Sequence, residues 1–171
     1  MADTATRILL VGARGFGAVH LRRLEELGDR VELVGLVDPT APPAEGFGST
    51  ASCWPTLAEA LAVGANPDIV IVATPTGTHA AIASVALNAG CDVYLEKPPV
   101  ATMADYEALL ALQESTGRAV QVGFQSLASD ALKAIAELGT PTSVAAWGSW
   151  VRTSAYWNRS RWAGKRMLDG A

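Results

Sequence analysis

Apolar residues are arranged along most of the chain in short unbroken runs, separated by stretches in which they recur every three or four positions. The runs are RILLVG (7–12), VELVGLVD (31–38), DIVIVAT (68–74), CDVYLEK (91–97) and AVQVGF (119–124). Continuous apolarity over so few residues marks strands covered on both faces, as in a parallel sheet. Between the first two runs, Gly17, Leu21, Leu24 and Leu27 share one helical face, while Arg22, Glu25 and Glu26 point elsewhere. TLAEALA (56–62) predicts a short helix, and PTGTHAAIASVALNAG (75–90) returns to helical composition. A further helix begins after Thr102, whose hydroxyl is placed to cap it with Asp105 three residues on, and stops at Gly117. The Pro-rich stretch PTAPPAEGFGST (39–50) reads as a loop.

Strands that alternate with helices predict an α/β fold, a doubly wound parallel Rossmann sheet with right-handed crossovers, over residues 1–124. Beyond it, SLASDALKAIAELG (126–139) is a helix candidate. The run from Thr142 to Ala171 opens as a strand and then loses any period; it holds four of the five tryptophans. Residues 125–171 are therefore expected to begin a second α/β domain, for substrate and oligomerisation, that is truncated at Ala171.

Half of the residues are apolar and 18% are charged, which places the chain among globular rather than disordered sequences. No apolar run is long enough to cross a bilayer, and the first one is too short for a signal peptide, so the expected location is cytoplasmic, with no membrane partner. Cys53 and Cys91 lack CxxC spacing and clustered histidines, so neither a metal site nor a disulfide is expected. A net charge of −4 argues against nucleic acid as a partner, although residues 151–171 alone carry +4.

The stretch VGARGFGAVH (11–20) then acquires meaning. A dinucleotide fingerprint, G-x-G-x-x-G, counted from Gly12 requires glycine at 12, 14 and 17, but Arg14 fills the middle place and Gly15 follows it. A turn that leaves the carboxyl end of the first strand and opens a helix presents backbone N–H groups to a pyrophosphate. Gly12 would allow the tight turn, Gly15 would let the backbone bend one residue late, Gly17 would allow close packing, and Arg14, paired with the phosphates or turned away from them, and Phe16 complete the cofactor-binding residues expected in this turn. Alone, these glycines fit equally well a plain strand-to-helix corner. Asp38, 26 residues after Gly12 at the end of the second run, adds a carboxylate where both ribose hydroxyls of NAD need an acceptor and a 2′-phosphate would be repelled.

Two more segments leave the carboxyl ends of predicted strands: ATPTGTH (73–79) and LEKPP (95–99). In this order and spacing, the glycine turn, Asp38, T-P-x-x-x-H and E-K-P resemble the Gfo/Idh/MocA family, the glucose-fructose oxidoreductase and inositol dehydrogenase-like enzymes. The resemblance implies NAD as cofactor, with NADP as the alternative, and hydride transfer at a secondary alcohol or carbonyl of a sugar, cyclitol or related polyol. It implies that Thr74 and Pro75 lie on the nicotinamide side, that Glu96 and Lys97 lie at the reactive end, and that the Lys97–Pro98 bond is cis. Lys97 is the expected catalytic residue, because a hydride leaving carbon requires a proton to leave oxygen. A homo-oligomer is implied for a full-length member.

His20 shares a helical face with Gly17 and Leu24 and is expected to be packed and hydrogen-bonded. His79 is expected either to orient the cleft or to bond locally at its helix end. Arg152, Tyr156, Trp157 and Trp162 are candidates for a substrate pocket, together with Arg159, Arg161 and Lys165. Family members also carry a proton-transferring histidine in their second domain, for which this chain offers no counterpart. The expectation is an NAD(P)-dependent dehydrogenase, truncated before its C-terminal catalytic histidine segment; its rival is a non-catalytic NAD-binding module, such as a redox sensor or scaffold.

Overall fold

The structure, a computed structural model, describes residues 4–40, 50–137, 140, 142–143, 145 and 147–158. It divides into two compact units, Met1–Gly123 and Phe124–Ala171. The first is built from β1 (Thr6–Val11), α1 (Phe16–Leu27), β2 (Val31–Val37), β3 (Cys53–Trp54), α2 (Leu57–Ala62), β4 (Ile69–Val72), α3 (His79–Asn88), β5 (Asp92–Leu95), α4 (Met103–Thr116) and β6 (Val120–Val122). All strand pairs are parallel, in the order β3-β2-β1-β4-β5-β6. That order reverses direction between β1 and β4, and such a reversal opens a ligand crevice at the strands' carboxyl ends.

Alternation within the buried strands explains their unbroken apolar character. Leu9 and Val11 of β1, Val70 and Val72 of β4, and Val93 and Leu95 of β5 face the cluster that also holds Leu57, Ala83, Leu87 and Leu109. Ile8, Leu10, Leu36 and Ile71 face the opposite side, where α1 contributes Leu21 and Leu24. Both faces are thus covered near the centre of the sheet, and each fully buried Leu or Val contributes about 1.5–3 kcal/mol. The expected helix after Thr102 is capped as predicted: Thr102 Oγ1 accepts from the Asp105 amide at 3.1 Å, and the chain leaves the helix through Gly117 in the left-handed conformation.

The two-residue strand β3 has no counterpart in the sequence reading. It exists because Cys53 and Trp54 pair with Leu36 and Val37, and two residues are too few to show a period. Cys53 and Cys91 are free thiols, and burial pushes the Cys91 thiol above its ordinary value.

The second unit contains a 3₁₀ turn (Gln125–Ala128), α5 (Asp130–Ala136) capped by Ser129, and the short α6 (Ser154–Trp157). The strand expected to open the run from Thr142 is not found: among its described residues none pairs in a ladder. A lone extended segment has no neighbour for its N–H and C=O groups, so an apolar run by itself does not make a strand. Among the described residues, no helix is long and apolar enough to cross a membrane.

Candidate functional site: the carboxyl rim of the sheet

The crossing from β1 into α1 forms the base of the crevice. Gly12 and Gly15 have φ of +85° and +56°, which side-chain-bearing residues rarely adopt. A Cβ on Gly12 would lie 3.0 Å from the Ala73 carbonyl, and one on Gly17 would lie 1.8 Å from the Gly12 oxygen. Above Gly15, by contrast, a Cβ would meet nothing within 4 Å. Gly15 takes the left-handed turn, Arg14 stays in the chain before it, and the space over the turn is open. Helix α1 enters without a side-chain cap and without an acidic residue in its first turn, which leaves amide donors and the positive end of its dipole for an anion.

Asp38 stands beside this turn, buried to 8% exposure at the end of β2. Its Oδ2 accepts from the Ala13 amide at 3.1 Å, while its Oδ1 accepts from the Thr40 amide at 2.9 Å and from the Thr40 hydroxyl. Burial raises the carboxyl's pKa, but the bonds from Thr40 and Ala13 and the charge of Arg14 outweigh it and hold the group below its ordinary 3.8. A carboxylate has about four acceptor positions. Three are used by bonds among the described residues. Arg14 Nε donates to Thr40 Oγ1 at 2.8 Å, at the Asp38 end of the crevice.

At the other end, His79 is 1% exposed and joins two loops. Its Nε2 lies 2.8 Å from the Thr74 carbonyl and its Nδ1 lies 3.0 Å from the Pro98 carbonyl. A neutral ring has one N–H and satisfies one of these oxygens; the imidazolium satisfies both. The residue thus bonds locally and also fixes the T-P segment to the E-K-P segment. Replacing it with alanine leaves a cavity and removes the ring that links the two carbonyls, and is expected to lower stability by about 3 kcal/mol, read from urea unfolding at neutral pH.

The Lys97–Pro98 bond is cis, as expected. Glu96 is buried at 8% exposure; its Oε1 meets His20 Nε2 at 2.9 Å and its Oε2 accepts from the Lys97 amide at 3.1 Å. Tyr94 packs edge-on against His20 at 5.5 Å, and burial, then the charge of Glu96, push its phenol above the ordinary value. His20 is packed and hydrogen-bonded as the sequence suggested, yet its partner is a site residue, and the pair ties α1 to the end of β5. The Lys97 ammonium lies over the exposed Phe16 ring, 5.3 Å from its centroid. Phe16 and Lys97, 81 positions apart, therefore meet at the mouth of the crevice.

Of the residues singled out in the sequence, Gly12, Arg14, Gly15, Asp38, Thr74, Pro75, Glu96 and Lys97 lie in the loops that follow β1, β2, β4 and β5, and Phe16 and Gly17 lie in the first turn of α1. Missed were Thr40, the link between Arg14 and Asp38, and the Ala13 amide. The D-x-T spacing, an Asp that can bond two residues on, was the available signal for Thr40. In the second unit the Arg152 guanidinium covers the Tyr156 ring at 4.2 Å, and Trp157 meets Tyr156 edge-on at 5.3 Å. Trp162, Arg159, Arg161 and Lys165 lie outside the described residues.

A glycine turn into an uncapped helix, a carboxylate at the second strand's end and a 3-2-1-4-5-6 parallel sheet define a dinucleotide-binding Rossmann domain. Comparison with known proteins places it more narrowly. Residues 6–124 match the family model described as oxidoreductase family, NAD-binding Rossmann fold, and the chain belongs to this Gfo/Idh/MocA family. It is 38% identical over 121 residues to a 4-carboxy-2-hydroxymuconate-6-semialdehyde dehydrogenase of Sphingobium sp., covering 68% of this chain and 38% of that protein. An inositol 2-dehydrogenase of Rhizobium meliloti is 30% identical over 118 residues, 69% of this chain and 36% of that one. The crystal structure of the WlbA dehydrogenase from Bordetella pertussis in complex with NADH and UDP-GlcNAcA superposes with a TM-score of 0.79 at 27% identity, over 96% of this chain and 50% of that one. The chain thus spans less than two fifths of the curated relatives' length.

Proposed function

We propose that residues 1–124 bind NAD(H) for a dehydrogenase that moves a hydride to or from a secondary alcohol or carbonyl of a sugar, cyclitol or related polyol, and that residues 125–171 open its substrate domain. The observation that carries this reading is the anchoring of Asp38 by the Ala13 amide, which sets a buried ribose acceptor beside the open glycine turn. Names of relatives support the substrate class: an inositol 2-dehydrogenase and a structure holding NADH with UDP-GlcNAcA.

In this reading the amides of the Gly12–Gly17 turn hold the pyrophosphate and Asp38 takes one adenosine ribose hydroxyl. Thr74 and Pro75, fixed by His79, would border the nicotinamide. The bound nicotinamide supplies the hydride acceptor or donor. Lys97 would bond the substrate oxygen and relay its proton, while Glu96, held by His20, would orient the Lys97 backbone through its amide. Arg152, Tyr156, Trp157 and Trp162 remain the proposed sugar contacts, with ring stacking the chemistry they offer.

The test is oxidation of a panel of cyclitols, hexoses and nucleotide sugars with NAD, followed by the absorbance of reduced nicotinamide. Lys97→Met is expected to lower turnover by about 10²-fold or more, and to weaken NADH by less than that. NADH binding without oxidation of any panel member fits both the dehydrogenase fragment and the non-catalytic module, so oxidation of at least one panel member is the result that separates them.

A further inference from the structure

We infer that Phe16 and His20, one turn apart on α1, form a two-point clasp that positions Lys97 at the mouth of the crevice. Both are positioning residues for the reaction proposed above, and their role in it rests on that reading. Residues four apart share one helical face, and here that face meets two consecutive residues of the loop after β5. The Phe16 ring lies under the Lys97 ammonium, 5.3 Å from it at the centroid, and His20 Nε2 meets Glu96 Oε1 at 2.9 Å.

The first contact acts on the lysine side chain. Lys97 is exposed, and among the described residues its ammonium makes no ion pair. A flexible four-carbon stem left to solvent spreads its charge over many rotamers. The face of an aromatic ring attracts a cation within about 6 Å. The Phe16 ring, 51% exposed at the start of α1, therefore narrows the region in which the ammonium sits.

The second contact acts on the lysine backbone. Glu96 meets His20 through one oxygen and accepts from the Lys97 amide through the other, at 3.1 Å. The carboxylate is confined from further sides as well. Tyr94 packs edge-on against the His20 ring at 5.5 Å, and a Cβ on Gly123 would come within 3.3 Å of Glu96 Oε1 and 2.9 Å of the Tyr94 hydroxyl. The clasp thus fixes Lys97 at both ends, the amide through His20 and Glu96 and the ammonium through Phe16. Both contacts come from the helix whose N-terminus faces the proposed pyrophosphate, so they place the lysine relative to the dinucleotide and not only to its own loop. A group that must meet a substrate oxygen gains from being held in place before the substrate arrives.

The experiment reads Lys97 directly, in the purified 171-residue chain without cofactor. Lys97 is one of three lysines, so dimethylation with isotope-labelled formaldehyde, which keeps the charge, gives three lysine methyl signals by NMR, and the one lost in Lys97→Arg is that of Lys97. This signal is expected upfield of the other two, through the ring current of Phe16. Phe16→Leu, which keeps an apolar side chain but not the ring, is expected to return it to their position, and Phe16→Tyr to restore the shift. His20→Ala is expected to quicken hydrogen exchange at the Lys97 amide by about tenfold. A Lys97 signal that Phe16→Leu leaves unmoved, or an exchange rate that His20→Ala leaves unchanged, would overturn the inference. A wild type that gives the expected signals yet binds no NADH in a parallel titration would keep the clasp and remove the dinucleotide reading.

Discussion

Gly17→Ala is expected to abolish dinucleotide binding and to lower stability by about 4 kcal/mol or more, among the larger effects seen for single substitutions. The added methyl would sit 1.8 Å from the Gly12 carbonyl oxygen, a backbone atom that no side-chain rotation can move aside. Relief requires α1 to withdraw from β1. That would pull Leu21 and Leu24 from the cluster they share with Ile8 and Leu10 and would move the helix terminus from the turn. Urea unfolding reads the first consequence and NADH titration the second. A variant with wild-type stability and affinity would show that the close approach of helix and strand is not needed.

Asp38→Ala is expected to weaken NADH by about 10- to 100-fold, the range for losing a hydrogen bond to a charged acceptor. NADPH should lose less, or gain, because the carboxylate that repels its phosphate is gone while Arg14 remains. Parallel titrations measure both; equal losses would show that Asp38 is not the ribose ligand. The pH dependence follows from the sign of its shift. The folded group titrates below 3.8, so what its ionised form contributes to stability is complete above that value and disappears only as the pH falls through the lowered one. Asp38 is therefore not a source of pH dependence in cofactor binding near neutrality.

The sheet was legible because its strands are short, apolar throughout and separated by helices with clear start and stop residues, as at Thr102 and Gly117. β3 was not, since its two residues become a strand only by pairing with the end of β2. Within the site, spacing along the chain located Gly12, Gly17, Asp38, Glu96 and Lys97, because each follows a strand and the carboxyl ends of parallel strands share one edge. Sequence could not show which side chains meet across that edge. His20 and Glu96 are 76 positions apart, and their 2.9 Å contact depends on how α1 lies over β5. Arg14 was visible as an intruder in a glycine motif, but its direction depends on Thr40, a residue that no motif singled out. In the run from Thr142 onward the described residues join no ladder, because a strand needs a neighbour as well as apolar content.

The central claim is that the loops after β1, β2, β4 and β5 form one dinucleotide cleft. Titrating the wild-type chain and Gly17→Ala with NADH, with ADP-ribose as competitor, tests it most directly. The account predicts saturable binding by the wild type, displacement by ADP-ribose, and loss of both in the variant. Absence of saturation by the wild type, or equal binding by the variant, would contradict it.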